Sequence, residues 1–286
     1  MASIRQLTVE SLTHLMAGGQ TRMAVDDDAR AILRNWMIAA RNGADTVLPQ
    51  PSGSPPVPES PPEPQPAAPA AASAASEMSV EEKLALLRSR AENWKPARRL
   101  GTLRETMVFA TGNPHARLML VGEAPGYDEE RLGEPFVGPA GRLLNKILVA
   151  MGLSREQVYI SNVCKFRPDM GPLQGTSNRP PSPEEVAACL PLILAEIRAI
   201  RPECIVCLGG SSAKGLLQLQ DASVSSLRGQ WLDCQGVPLR VTYHPSYLLR
   251  NESLGARRSV WEDMLAAMEK LRMPISERQQ RYFLPS

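Results

Sequence analysis

Four short apolar runs in the second half of the chain have the length and composition of buried strands. They lie at residues 116–121, 158–163, 204–208 and 239–243. Between them, residues 140–151, 183–200 and 211–219 carry apolar side chains at helical spacing. Strands that alternate with helices in this way predict a three-layer α/β/α sandwich with a small, about four-stranded central parallel sheet.

The N-terminal part of the chain has a different pattern. Residues 46–77 are rich in Pro, Ala and Ser, and they bury too little apolar surface to offset the entropy of ordering, so we predict a disordered linker. Ahead of the linker, residues 1–45 include an amphipathic helix at 26–42 that is too small to fold alone. We predict a peptide that binds a protein partner or a helix that docks on the main domain; the alternative is that this segment is dispensable.

The main domain is predicted to span residues 78–270, followed by a C-terminal tail at 271–286. Its first helix begins at Ser79, where Ser79 and Glu82 have the spacing of a capping box. Residue count allows one full α/β domain with accessory segments, and we expect a monomer.

The amino-acid composition says less about binding partners than the pattern of apolar and polar residues does. The formal charge of +2 and a pI near 8.3 neither require nor exclude a polyanionic partner, so any charge that binds DNA must be local. The chain has no uninterrupted apolar stretch of about 18 residues and no secretory signal, so we expect a cytoplasmic protein without a membrane segment. The five cysteines are then expected to be reduced thiols.

Each predicted strand of the sheet ends in a polar or glycine-rich turn. These turns are GEAPG at 122–126, Asn162 with Lys165, GGSS at 209–212 and HPSYLLR at 244–250. The carboxyl ends of parallel strands meet at one edge, where α/β proteins bind their ligands. We therefore expect Glu123, Asn162, Ser211 and His244 to share one site.

The same segments resemble the uracil-DNA glycosylase superfamily, and its family 4 branch most of all. The resemblance covers about residues 100–265 and rests on motifs that occur in the family's order: VGEAPG (121–126), GEPFVGPAG (133–141), VYISNVCK (158–165), SPEEVAACLP (182–191), IVCLGGSSAKGLL (205–217), LRGQW (227–231) and YHPSYLLR (243–250). It implies a base-excision repair enzyme that flips uracil out of single- or double-stranded DNA and hydrolyses its bond to deoxyribose.

Three side chains are predicted to hold the base. The Asn162 amide can hydrogen-bond the O4 and N3 edge of uracil, where cytosine presents the opposite donor pattern. By resemblance, Phe136 stacks on the flipped base and His244 donates a hydrogen bond to uracil O2 as negative charge develops there. Alternatively, Asn162 bonds its own backbone, Phe136 is an ordinary core residue and His244 is structural.

The first turn supplies further candidates. Gly122, Ala124, Pro125 and Gly126 are predicted to line the base site, with the amides of 124–126 facing phosphate or uracil O2. Glu123 is predicted to orient the attacking water or to polarise the sugar. Other branches of the superfamily carry a catalytic Asp at the place of Ala124, so Asp128, Glu129 or Glu130 remain alternatives to Glu123.

On the DNA side, Leu248 and Leu249 are predicted to act as apolar wedges that fill the gap left by the flipped nucleotide, with Arg250 on a phosphate. The wedge hypothesis fails if these leucines begin a buried helix. The remaining predicted DNA contacts, from the same motifs, are Gly138, Lys165, Ser211 and Ser246.

The resemblance breaks at the cofactor. Family 4 members hold a 4Fe–4S cluster through four cysteines, but this chain has Lys95, Arg98 and Phe166 at three of those places and retains only Cys189. Cys204 and Cys207 lie within an apolar strand and are predicted to be core thiols. We therefore expect no cluster and no other cofactor. Lys95, Arg98, Arg99, Phe166 and the loop 169–178 are expected to brace the domain instead, although the three cations are equally suited to DNA phosphate.

Two other functions fit parts of the sequence. A non-catalytic or covalently adduct-forming uracil-DNA binder on the same fold would explain the changed cluster positions and the altered 164–179 region. A nucleotide-binding protein would use the first glycine-rich turn, but GEAPG lacks the G-x-G-x-x-G spacing and the second strand ends in Asn162 instead of an acidic residue.

Overall fold

The computed structural model describes residues 78–219 and 221–284. Predictions for residues 1–45 and 46–77 fall outside these described residues. The strands are β1 (Leu103–Met107), β2 (Ala110–Gly112), β3 (Leu118–Gly122), β4 (Tyr159–Asn162), β5 (Phe166–Pro168), β6 (Cys204–Leu208), β7 (Leu232–Cys234) and β8 (Val237–Thr242). The helices are α1 (Val80–Glu92), α2 (Lys95–Arg98), α3 (Tyr127–Leu132), α4 (Pro139–Met151), α5 (Pro183–Ile200), α6 (Gly210–Leu217), α7 (Val224–Leu227), α8 (Pro245–Arg250), α9 (Leu254–Lys270) and α10 (Glu277–Gln280).

The main sheet has the strand order β2-β4-β3-β6-β8-β7. The four strands anticipated from the apolar runs, β3, β4, β6 and β8, are mutually parallel and form its centre. Short antiparallel strands, β2 and β7, were not predicted and close the two edges. The described sheet is therefore six-stranded and mixed, and its parallel part is the four-stranded sheet expected.

Alternation along the central strands places the sheet between two helical layers. In β3, Leu118 and Leu120 pack with α4 and α9 on one face. Met119 and Val121 pack with α5 and α6 on the other. Successive strand residues point to opposite faces, so a continuously apolar run is what a sheet covered on both sides requires. The three-layer α/β/α prediction is confirmed.

The register of the parallel strands aligns their carboxyl ends. Gly122 of β3 pairs with Asn162 of β4, and Leu208 of β6 pairs with Thr242 of β8. The chain leaves each strand at the same edge, which carries the turns that follow.

Local signals account for the helix ends. The capping box at α1 is formed as predicted, since the Ser79 hydroxyl accepts the Glu82 N–H and Glu82 accepts the Ser79 N–H. Ser182 and Glu185 form a second box at α5, which contains Pro183 at its first position. Gly152 ends α4 in the left-handed conformation, with φ of 80°.

Residues 271–284 do not form a separate tail. Leu271 is buried, and Met273, Ile275 and Tyr282 pack against the core shared by α4 and α9. The Trp261 indole N–H donates to the Gln279 carbonyl at 2.6 Å. The boundary at residue 270 was therefore placed too early.

All five cysteines are buried free thiols. Cys204 and Cys207 are three residues apart on β6 and belong to cores on opposite faces of the sheet, so the prediction that they are core thiols is confirmed. Burial raises the pKa of Cys204 to about 12. Over the described residues, every helix is too short or too polar to cross a membrane.

Candidate base pocket and DNA interface

The turns after β3, β4, β6 and β8 surround one cavity of about 790 Å³, which we call the base pocket. Its wall includes most of the residues singled out from the sequence: Glu123, Ala124, Pro125, Gly126, Phe136, Gly138, Asn162, Ser211, His244, Ser246, Leu249 and Arg250. Segments more than 120 residues apart along the chain thus meet at the sheet edge, as the topology requires.

Asn162 ends β4, lines the pocket and is only 2% exposed. Its Oδ1 is buried and has no hydrogen-bond partner among the described residues. An orphaned buried acceptor costs about 1–3 kcal/mol, so the site favours a ligand that donates a hydrogen bond there. The Asn162 side-chain oxygen therefore does not bond its own backbone, contrary to the alternative interpretation.

Gly122 makes room for this arrangement. A β-carbon at residue 122 would lie 2.3 Å from Asn162 Oδ1 and 2.5 Å from Phe136 Cζ. Both distances are shorter than atoms tolerate. Gly122 was predicted to line the site but is not among the pocket-lining residues. Its lack of a side chain instead allows Asn162 and Phe136 to approach each other.

Phe136 has a left-handed backbone, with φ of 55°, a conformation uncommon for a bulky residue. Gly141 makes this possible, because a β-carbon there would lie 1.8 Å from the Phe136 carbonyl oxygen. The ring is 5% exposed, lines the pocket and lies 5.7 Å from the His244 ring between centroids. Phe136 is thus a core residue that also borders the pocket.

The tautomer of His244 follows from its neighbours. Nδ1 accepts the backbone N–H of Ser246 at 3.1 Å and lies 2.7 Å from the Ser246 hydroxyl oxygen. A backbone N–H can only donate, so the proton of the neutral ring is on Nε2. Burial lowers the pKa of His244 below its ordinary value of 6.5, although the nearby Glu123 carboxylate acts in the opposite direction. Near neutral pH, His244 is therefore a neutral Nε2–H donor.

The acidic residues near the pocket separate into two kinds. Glu129 accepts the amides of Gly126, Val137 and Gly138 and so joins the first turn to the Phe136 loop. Glu130 pairs with Arg104 at 2.6 Å and Arg167 at 2.9 Å. Both carboxylates make structural bonds, although Glu129 also lines the pocket. Glu123 and Asp128 line the pocket as well, and neither has a hydrogen-bond partner in the described part of the chain.

The amides of the first turn are less available than expected. The Gly126 N–H donates to Glu129 Oε2 at 3.2 Å, and Pro125 has no N–H. Only the Ala124 amide remains for a ligand.

Two predicted DNA contacts are inconsistent with the structure. Lys165 is fully buried, its Nζ donates to Ser161 Oγ and the Asn162 carbonyl, and it pairs with buried Glu196. Leu248 lies in α8 and packs into the core at 7% exposure. The wedge hypothesis is therefore wrong for Leu248, whereas Leu249 is 45% exposed and lines the pocket with Arg250.

The predicted site residues did not include Tyr127, Pro139 and Ala140 of the wall, nor the rim segment, which we define as residues 169–180. Thr176, Asn178, Arg179 and Pro180 of this segment line the pocket. The sequence suggested only a bracing loop at 169–178. The strand before it, β5, was not among the predicted strands, so the expected topology did not bring this segment to the pocket.

Three of the positions where the resemblance implied cluster cysteines, Arg98, Phe166 and Cys189, lie together with Cys164 in a packed corner, which we define by these four residues. The Arg98 guanidinium stacks 4.4 Å above the Phe166 ring and donates to the carbonyls of Glu92, Arg104 and Glu105. Phe166, Cys164 and Cys189 pack together in a small core with Ala97. Lys95 and Arg99 are exposed, whereas Arg98 contacts Phe166 and the loop 169–178 is joined to the domain through Arg104 and Arg167.

These residues do not fit a 4Fe–4S cluster. Such a cluster needs four thiolates, but the packed corner offers two thiols. An aromatic ring and a guanidinium fill the remaining positions. No group of three or more metal-ligating side chains occurs within residues 78–219 and 221–284.

Comparison with known proteins agrees with this geometry. Residues 109–265 match the family model "Uracil DNA glycosylase superfamily". The chain is 43% identical over 162 residues to a type-4 uracil-DNA glycosylase of Thermotoga maritima, covering 56% of this chain and 81% of the relative. It is 42% identical over 154 residues to the Archaeoglobus fulgidus type-4 enzyme, covering 51% and 74%. A type-5 uracil-DNA glycosylase of Pyrobaculum aerophilum is 31% identical over 153 residues, covering 48% and 64%.

Proposed function

The chain belongs to the uracil-DNA glycosylase superfamily, and we propose from this premise that it excises uracil from DNA by hydrolysing the N-glycosidic bond. The observation that carries the proposal is that Asn162, Phe136 and His244 line one pocket. Hydrolysis of the N-glycosidic bond needs a site that admits uracil and stabilises the departing base as an anion. Each of these side chains supplies one part of that requirement.

Asn162 and Phe136 select the base. The orphaned Asn162 Oδ1 accepts the N3–H of uracil, and its Nδ2 donates to O4. Cytosine presents an acceptor at N3 and a donor at position 4, so it leaves both amide atoms mispaired. Phe136, held by Gly122 and Gly141, stacks on the ring.

His244 stabilises the leaving group. As the glycosidic bond lengthens, charge accumulates on uracil O2, and the Nε2–H of a neutral imidazole donates to it without losing its own proton. Ser246 fixes the ring through Nδ1, so no reorganisation is needed during the reaction. This role requires the depressed pKa of His244, because protonation at Nδ1 would oppose the Ser246 N–H.

Glu123 and Asp128 are the carboxylates available to the sugar. The deoxyribose develops positive charge as uracil departs, and a nearby carboxylate stabilises it and orients the attacking water. Glu129 and Glu130 are excluded from this role by their structural bonds. Of the two remaining carboxylates, Glu123 follows β3 directly and raises the pKa of His244 through its charge. We therefore propose that Glu123 orients the attacking water.

Leu249 and Arg250 contact the DNA beside the pocket.

The protein performs this chemistry without an iron–sulfur cluster. Support comes from the packed corner, where the stacked Arg98 and Phe166 side chains take the place of cluster ligands. Purified protein is expected to be colourless, with iron well below one equivalent per chain. A brown protein that loses stability when its iron is removed would overturn the proposal.

Excision is tested with a labelled oligonucleotide that contains one uracil, incubated with the protein and then treated with alkali. Strand breakage at the uracil is expected, with none at thymine or cytosine. His244→Ala should slow the single-turnover rate by roughly 10²–10³-fold, the size of losing one donor to a developing oxyanion. A retarded band that survives denaturant, without breakage, would instead identify an adduct-forming protein.

A further inference from the structure

A buried arginine, Arg167, is one of the residues that hold the rim segment in place. Arg167 is 2% exposed, yet it donates to the carbonyls of Gly175 and Ser177 at 3.0 and 2.6 Å. It also pairs with Glu130 of α3 at 2.9 Å. Because its hydrogen bonds reach both the rim segment and α3, the segment has a fixed position against the first turn of the pocket.

Arg167 also fixes the orientation of Asn178. Its Nε donates to Asn178 Oδ1 at 2.9 Å, and an arginine nitrogen can only donate, so the amide oxygen must face Arg167. The amide nitrogen then faces away from it. Nδ2 lies 3.0 Å from the place that a β-carbon on Gly126 would occupy, which puts this donor beside the first turn of the pocket.

The neighbouring Arg179 is not available to a ligand. Its five N–H groups donate to the carbonyls of Asp169, Pro180 and Thr102 and to both oxygens of Glu185. The Glu185 hydrogen bonds raise the pKa of Arg179 further, so its charge is neutralised by a fixed partner. The Asn178 Nδ2, in contrast, has no partner among the described residues.

We propose that Asn178 is a DNA-contacting residue whose Nδ2 donates to a backbone phosphate oxygen at the mouth of the base pocket. Asn178 is exposed, whereas the base-reading Asn162 is buried, so Asn178 faces the strand that enters and not the uracil ring. The carboxylates of Glu123 and Asp128 repel phosphate from the same pocket, and a neutral donor at the rim offsets that repulsion. This inference rests on the proposed function for its substrate.

Binding separates this inference from excision. We would measure the Kd for an oligonucleotide containing 2′-fluoro-2′-deoxyuridine, whose glycosidic bond resists cleavage. Asn178→Ala is expected to raise the Kd about tenfold, as loss of one hydrogen bond to a charged group does. Asn178→Asp keeps Oδ1 for Arg167 but replaces the donor by an anion, so a larger rise is expected. Ser177→Ala is the matched control, because that side chain neither lines the pocket nor makes a hydrogen bond among the described residues.

Free uracil provides the second measurement. If Asn178 contacts the strand, inhibition of excision by free uracil is unchanged in both variants while the KM for DNA rises and kcat stays within about twofold. An unchanged Kd for Asn178→Asp would overturn the inference, and so would weaker inhibition by free uracil, which would place Asn178 on the base. Failure of the wild-type protein to excise uracil would count against the proposed function alone, since the binding comparison does not need turnover.

Discussion

The base pocket and the packed corner are both built beside the carboxyl end of the sheet, but by different means. In the pocket, backbone geometry places each group: the paired strand ends bring Gly122 to Asn162, and glycines at 122 and 141 admit the Phe136 ring. In the corner, long side chains span the space, with Arg98 stacked on Phe166. The first kind of site tolerates almost no displacement, whereas the second distributes its stability over several weak contacts.

The two regions should therefore respond differently to mutation, one in excision and the other in stability. A change in the pocket should reduce excision more than stability, because the reacting groups must be placed to within a fraction of an ångström. A change in the corner should reduce stability and leave the excision rate of the folded protein unaltered.

The largest effect is expected for Gly122→Ala. The new β-carbon would meet Asn162 Oδ1 at 2.3 Å and the Phe136 ring at 2.5 Å, so both must move, and we expect a loss of about 100-fold in kcat/KM. Gly255→Ala is the matched control, because nothing lies within 4 Å of its added β-carbon. Equal excision by the two variants would show that the close approach at Gly122 has no functional meaning.

A smaller effect is expected from acid. The folded-state pKa of His244 is below 6.5, so the excision rate should stay level from pH 8 to about 6.5. It should then fall roughly tenfold per pH unit below the pKa, as the neutral donor is lost. Stability falls in the same direction, since below 6.5 the unfolded chain binds the proton more tightly than the folded one. The excision rate should be measured across this pH range at values where an unfolding assay shows that the protein is folded. A decline in the rate with its midpoint above pH 6.5 would contradict the neutral-donor role.

In the corner, Arg98→Ala should lower the free energy of unfolding by about 1–3 kcal/mol, through loss of the stacking and of the hydrogen bonds to three carbonyls. Urea unfolding measures this change. Arg99 is an exposed neighbour, so Arg99→Ala is the control and should leave the free energy of unfolding almost unchanged. If Arg98 instead bound phosphate, the variant would lower the salt dependence of DNA binding by about one counterion while stability stayed unchanged.

The smallest effect is expected for Cys189→Ala. The thiol packs against Cys164 and Phe166, so its loss should cost about 1 kcal/mol of stability and leave the excision rate at the wild-type value. Iron analysis of both proteins completes the test. Loss of bound iron in the variant would show that Cys189 is a cluster ligand and that the corner was misassigned.

The sequence predicted the central strands and the turns after them because both depend on local patterns: continuous apolar runs and polar residues directly behind them. Asn162, Phe136 and His244 could be chosen for the same reason together with the family resemblance. The burial of Lys165 could not, because its partner Glu196 lies 31 residues away on α5. The split between Leu248 and Leu249 depends on which way a six-residue helix faces. The position of the rim segment depends on Arg167, which joins carbonyls 8 and 10 residues further along the chain to Glu130, 37 residues before it.

The most direct measurement of the central claim is the amount of free uracil released from a uracil-containing duplex by the wild-type protein, by Asn162→Ala and by Arg98→Ala. We expect one uracil per abasic site from the wild-type protein, at a rate that Arg98→Ala matches when folded and that Asn162→Ala lowers by roughly 10²-fold or more. Absence of free uracil with the wild-type protein, or equal rates for Asn162→Ala and Arg98→Ala, would contradict the assignment of the base pocket.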